Sequence, residues 1–209
     1  MLPALLGLFI LLSLSFAAVQ WSFPATDSIN GKPVVSGGKA VFTSYDGNVY
    51  ALSADSGTVS WTYPTSSGII AEPVLADDGT VAVGTVDGKL LFLDLQTGRP
   101  KATADLESAA LCLQAGEGKV FACLNSSVAA YSPAGKLLWK VPMPSQPGQI
   151  GYSRGAVYFT SNAKLYSLTA TNGAPRWTAP AEDSHVRLRC HNAEELRDPE
   201  DHNARREHN

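Results

Sequence analysis

The sequence predicts an all-β fold, a β-propeller of four-stranded antiparallel blades with about four blades present. Three observations carry this. The four tryptophans, Trp21, Trp61, Trp139 and Trp177, are separated by 40, 78 and 38 residues. Gly57, Gly98, Gly135 and Gly173 keep the same beat, 41, 37 and 38 residues apart. Turn signals cut each repeat into four short apolar runs, and a four-stranded meander recurring roughly every forty residues is the signature of propeller blades. A β-sandwich with chance spacing is the rival reading.

The chain begins with an uncharged apolar run, MLPALLGLFILLSLSFAAVQ. Its small residues fit a signal peptide cut after Ala17 or Ala18, and its length also suits an uncleaved anchor, so residues 1–18 are expected to export the body by either route. No Cys follows the run, which argues against lipid attachment at this end. Blades are then expected at about 24–64, 65–103, 104–142 and 143–180, with 19–23 an orphan outer strand. In the first, PVVS, AVFTS, VYALSA and TVSWTYP are separated by GGK, YDGN and DSG. Gly-Gly and Asp-Gly between β-branched and aromatic runs are strong hairpin signals. The second blade lacks its tryptophan, replaced near Lys101 or Ala102.

The strings ALSADSGTVSW, FLDLQTGRPKA and SLTATNGAPRW resemble the tryptophan-docking motif, Ala-x-Asp-x-x-Thr-Gly-x-x-x-Trp, of the pyrroloquinoline-quinone-like repeat family. The resemblance covers about 19–180 and is closest in style to the non-enzymatic barrel-assembly (BamB-like) propellers. Only Asp94 supplies the motif's Asp, and the third copy, AYSPAGKLLW, is one residue short. The resemblance implies a structural role for each tryptophan: on the outermost strand of one blade, it wedges against the next and buries roughly 150–250 Å². The motif glycine suits a turn that needs positive φ. Complete family members commonly have eight blades. The chain is therefore expected to be half a propeller, truncated or altered near 181. Two variants remain, a closed four-bladed ring that strands Trp21 and a pairing of two chains into eight blades. An open edge on blade four is expected to promote self-association.

Residues 181–209 carry thirteen charges and all four histidines but no Phe, Tyr or Trp, the composition of a disordered tail. His185, Cys190, His191, His202 and His208 match no zinc spacing, so no metal site is expected. The body, 1–180, holds eleven Lys plus Arg against eleven Asp plus Glu, and this neutrality disfavours nucleic acid as a partner. Gly151-Tyr152-Ser153-Arg154-Gly155 mimics a nucleophile elbow but falls on a predicted hairpin turn with no histidine in the body, so no catalytic residue is expected. Asn125-Ser126-Ser127 is a glycosylation sequon on a predicted turn. Centring the hairpin ALCLQAGEGKVFACL on Glu117-Gly118 sets Cys112 opposite Cys123, a pair that either forms a disulfide or packs as two reduced thiols.

The family's quinone-dependent dehydrogenases hold a cofactor and a metal at the centre of a complete propeller, beneath adjacent cysteines. This chain has no Cys-Cys pair and no recognisable acidic or amide cluster, so no cofactor is expected. Its non-enzymatic members bind proteins through blade edges and loops. The expected function is a non-enzymatic extracytoplasmic scaffold for an unidentified protein partner, touching a membrane only through its N-terminal run. The alternative is a fragment of a quinone-dependent dehydrogenase whose active-site half is missing.

Overall fold

The computed structural model describes residues 20–180 apart from 30, 66 and 78. The N-terminal run at 1–18 and the charged tail at 181–209, with its histidines and Cys190, lie outside the described residues. Sixteen strands form four separate antiparallel meanders. Blade 1 is β1 Val34–Ser36, β2 Lys39–Thr43, β3 Asn48–Ser53 and β4 Val59–Pro64. Blade 2 is β5 Val74–Asp77, β6 Thr80–Gly84, β7 Lys89–Asp94 and β8 Pro100–Asp105. Blade 3 is β9 Cys112–Gly116, β10 Lys119–Cys123, β11 Ser127–Tyr131 and β12 Leu137–Pro142. Blade 4 is β13 Ile150–Ser153, β14 Ala156–Ser161, β15 Lys164–Thr169 and β16 Pro175–Pro180. The first strands of blades 2, 3 and 4 approach one another, so they line the axis and the fourth strands form the periphery.

Burial explains the residue patterns. A middle strand is covered on both faces and reads as a continuous apolar run, as in the fully buried β6 and β11. An outer strand alternates, as in β4 and β12, where the tryptophan is the buried residue. The pairing of third and fourth strands shifts register at the same point in every blade, between Ala51 and Leu52, Phe92 and Leu93, Ala130 and Tyr131, and Ser167 and Leu168. Trp61, Trp139 and Trp177 each pair with the residue just before this irregularity, and in blade 2 that place belongs to Ala102. A bulge re-aims a side chain and tightens local twist, here turning the outer-strand residue toward the next blade.

The core lies between blades. One apolar cluster joins blades 1 and 2, a second blades 2 and 3, and a third blades 3 and 4. Trp61 Nε1 donates to the Leu95 carbonyl of blade 2 at 3.0 Å, and Trp139 Nε1 to the Ala170 carbonyl of blade 4 at 3.0 Å. Each indole lies across a glycine three residues beyond its acceptor, Gly98 or Gly173, both at φ near +70°. A Cβ on Gly98 would stand 2.6 Å from Trp61 Cδ2, and one on Gly173 2.8 Å from Trp139 Cε3. The glycine is thus required twice, for its backbone conformation and for the ring's close approach. At the seam without an indole, a Cβ on Gly135 would instead stand 3.1 Å from the Thr103 carbonyl oxygen and 3.4 Å from Ala102 Cβ. Blade 3 there carries Tyr131 where the other blades have Leu52, Leu93 and Leu168, and the buried phenol fills the space beside Ala102.

Trp21 extends the same series. Residues 20–24 form no strand, yet Trp21 Nε1 donates to the Ala54 carbonyl at 2.9 Å and its ring covers Gly57. An N-terminal leg without strand pairing therefore fills the slot on blade 1, although the sequence offers it no strand partners. Phe23 joins Trp21 there against Phe42, Tyr50 and Leu52. Among the described residues no cluster joins blade 4 to blade 1, and the four blades form an open arc.

Gly98→Ala and Trp61→Ala act on one slot and should not add. Trp61→Ala is expected to cost about 3–5 kcal/mol, the range for truncating a buried large aromatic. In the double variant, Gly98→Ala should cost much less than it does alone, which denaturant titration of the four-member cycle measures. Additive losses would show that ring and glycine do not share a seat.

Candidate functional site

The turns between second and third strands lie at the same end of the blades as the connections from one blade to the next. Backbone hydrogen bonds tie the two together, from Tyr45 N to the Ser28 carbonyl at 3.0 Å and from Val86 N to the Gly68 carbonyl at 2.9 Å. On blades 1 and 2 these turns are Tyr45-Asp46-Gly47 and Val86-Asp87-Gly88, each with a large apolar residue ahead of the Asp-Gly pair. Tyr45 is 45% exposed, Val86 43%, and Ile29, which bridges to Ser44, 44%. Gly68 stands between the first two: a Cβ there would lie 3.8 Å from the Tyr45 carbonyl oxygen and 3.9 Å from Val86 Cγ2. The three exposed residues thus lie at one end of two neighbouring blades, here termed the rim. Contiguous exposed apolar surface, unlike scattered apolar residues, marks an interaction site.

Asp46 holds this rim to the N-terminal leg. Its carboxylate accepts hydrogen bonds from Thr26 Oγ1, from Tyr50 OH at 2.7 Å and from Asn48 N at 2.8 Å. Burial pushes the Asp46 carboxyl up, but these donors outweigh it and hold the group at about 2, against an ordinary 3.8. Burial and the neighbouring Asp46 carboxylate push the Tyr50 phenol up. Beside this network, Phe23, Phe42 and Tyr50 pack ring on ring, with centroids 5.3–5.7 Å apart. A second carboxylate, Asp94, is held at about 2 chiefly by the Thr97 hydroxyl and amide, which close the motif turn of blade 2.

A folded-state value below the unfolded one stabilises the fold wherever the carboxylate is ionised. That contribution is complete above about pH 4 and disappears as pH falls through about 2. The melting temperature is expected to hold from neutral pH down to about 4.5 and to drop between 4 and 2. Asp46→Asn should lower it at neutral pH and make the acid drop shallower. An unchanged acid slope would show that Asp46 is not held in this way.

Cys112 and Cys123 face one another on β9 and β10, as the hairpin centred on Glu117-Gly118 requires, and their sulfurs are bonded, with Cα atoms 5.1 Å apart. The bridge sits at the seam with blade 4, and the Gly148 carbonyl oxygen lies 3.2 Å and 3.1 Å from the two sulfurs. It closes a loop of sequence separation 11. Loop closure of this size is worth about 2–3 kcal/mol in the chain-entropy account. Alkylation of the unfolded, unreduced chain should label one of its three cysteines, and all three after reduction. Three labels before reduction would contradict the bridge.

Ser153-Arg154-Gly155 forms the β13–β14 turn, with Ser153 paired to Ala156, and no helix follows it. Among the described residues no three His, Cys, Asp or Glu side chains gather to hold a metal. The groups that sequence reasoning missed are of two kinds. The acceptors Ala54, Leu95 and Ala170 are main-chain carbonyls, marked only by their place three residues before a motif glycine. The rim was signalled by apolar residues in turns that are ordinarily polar, but their place at one end of adjacent blades was not.

A family model described as outer membrane protein assembly factor BamB matches residues 7–112 and 124–188. No curated protein matches the chain. Among solved structures, BamB from Moraxella catarrhalis superposes with a TM-score of 0.64 at 20% identity, over 77% of this chain and 54% of that one. The quinohemoprotein alcohol dehydrogenase ADHIIG from Pseudomonas putida HK5 superposes with a TM-score of 0.61 at 18% identity, over 71% and 34%. The computationally designed Ika4 protein gives 0.62 at 16% identity, over 70% of this chain and 93% of its own. Likeness at these identities shows the fold, a β-propeller built from repeats of this type. The chain spans about half the length of the BamB structure.

Proposed function

The chain belongs to the family described as outer membrane protein assembly factor BamB, and from that premise we propose that it is a non-enzymatic extracytoplasmic scaffold that binds another protein through the turn rim of blades 1 and 2. The observation that carries this reading is the exposure of Ile29, Tyr45 and Val86 at the same end of adjacent blades. An aromatic ring with aliphatic neighbours at the centre and carboxylates at the edge has the make-up of a protein interface. Hydrogen bonds from Thr26 and Tyr50 to Asp46 pre-order the rim and so lower the entropy lost on binding. The apolar run at 1–18 supports export, the setting in which the Cys112–Cys123 bridge persists. The dehydrogenase alternative draws support only from a shared fold, and fold does not imply function.

A photo-crosslinking residue placed at position 45 or 86 tests the proposal in the native cells. Both positions are expected to yield the same protein adduct, while position 59, exposed on the outer strand β4, yields none. Tyr45→Asp should abolish the adduct formed from position 86. Equal crosslinking from position 59, or none from 45 and 86, would overturn the rim as the binding site.

A further inference from the structure

Three of the four tryptophans in this series are seated on a neighbouring blade, and Trp177 is the exception. Three seats are filled in the same way, Trp21 on Ala54 and Gly57, Trp61 on Leu95 and Gly98, and Trp139 on Ala170 and Gly173. Trp177 is the fourth tryptophan of the series, on the outer strand β16 and paired with Ser167 beside the blade's bulge. It is half-buried, its ring 5.9 Å from Tyr158, and among the described residues its Nε1 meets no protein acceptor. On the same flank of blade 4, Ser167 Oγ is buried without a hydrogen-bond partner, at a position that Ala51, Phe92 and Ala130 occupy in the other blades. This flank therefore carries a tryptophan of the series without the carbonyl acceptor that the other three have among the described residues. The opposite side, on the evidence of the three filled seats, is a blade face with an open carbonyl three residues before a positive-φ glycine.

Among the described residues such a seat opens away from its own neighbours only on blade 1, and there Trp21 already fills it. We propose that blade 4 of one copy docks on blade 1 of a second copy, Trp177 entering the seat of Ala54 and Gly57 and displacing the leg that carries Trp21. The two occupants are unequal. Trp21 arrives on a leg with no strand pairing, held by the Asp46 hydrogen bonds and the Phe23 ring cluster. Trp177 arrives on a strand paired along its whole length, with Tyr158 and Leu165 on the same flank, so its entry seats an entire sheet face. The leg thus acts as a reversible cap that keeps the rear face of blade 1 covered until a second copy replaces it. The contact is head to tail, and such contacts form a closed ring when the rotation allows. In the proposed pair a two-fold axis relates the copies and gives two equal seams, each arc spanning 54% of the BamB chain on which it superposes. This contact is separate from the rim and does not rest on the binding role proposed above.

Sedimentation equilibrium of the full chain and its variants tests the inference. Trp21→Ala is expected to tighten the dimer at least about tenfold, the change that 1.4 kcal/mol of lost competition produces. Trp177→Ala should leave a monomer whose melting temperature matches that of wild-type monomer, and the double variant should also be monomeric. Because Trp21→Ala also removes contacts from blade 1, a peptide of residues 19–29 supplies a second measurement: at saturation it should return the Trp21→Ala dimer to monomer. Dimerisation undiminished by Trp177→Ala, a monomeric Trp21→Ala chain, or open-ended polymers in place of a dimer would each overturn the proposal. None of these readouts requires the rim's partner, so crosslinking at positions 45 and 86 stands or fails separately.

Discussion

A blade of four strands has two faces and no interior, so the stability of this protein resides in the seams between blades, and the seams of blades 1 with 2 and 3 with 4 are each registered by an indole that must satisfy its N–H before it can be buried. Burying a large ring contributes the area, while the N–H restricts the ring to one pose, because a buried donor without an acceptor is costly. The acceptor is a turn carbonyl whose direction is set by a glycine at positive φ, and the ring occupies the space where that glycine has no Cβ. The bulge beside each outer-strand tryptophan aims the ring across the seam. Motif glycine, bulge and tryptophan are three parts of one device. The seam between blades 2 and 3 shows what replaces it: with Ala102 at the tryptophan position, Tyr131 supplies the missing bulk from the opposite face.

This division of labour leaves the two ends of the blades free to differ. The tryptophan seats engage the turns between third and fourth strands, whereas the rim of Ile29, Tyr45 and Val86 is built from the turns between second and third strands and the connections between blades. Residues at the rim carry no seam, so apolar side chains there are not explained by packing. Asp46 is the exception that links the two regions. Through Thr26 and Tyr50 it fixes the leg that carries Trp21, so the cap on blade 1 and the order of the rim depend on one carboxylate.

The open arc makes the end blades unlike the inner ones. Blade 1 has its rear face covered by Trp21 and Phe23, and blade 4 carries buried Tyr158 and half-buried Leu165 and Trp177 on a flank where Ser167 replaces an apolar residue. A repeat protein propagates one interface from unit to unit, so an unmatched unit at either end retains the capacity to form the next one. The same physics that stacks four blades therefore governs what the end faces accept.

Much of this was legible in the sequence because it is local. Strand alternation, hairpin turns and the spacing of tryptophan and glycine repeat within forty or so residues, and a two-fold side-chain period with a tight turn determines register, which is why Cys112 opposite Cys123 follows from the centre of one hairpin. The sequence by itself thus determined the all-β class, the meander of each blade and the family. It did not disclose that Trp21 is seated without a strand, since seating depends on where a leg lies against blade 1 and not on pairing partners in the repeat. It did not separate Lys101 from Ala102 as the tryptophan's replacement, because that choice rests on a bulge. Nor did it bring Ile29, Tyr45 and Val86, which are 16 and 41 residues apart, to the same end of two adjacent blades. Those facts belong to the tertiary structure for one physical reason: contacts across a seam depend on the angle and depth at which two sheets pack, and no period within a single sheet encodes either.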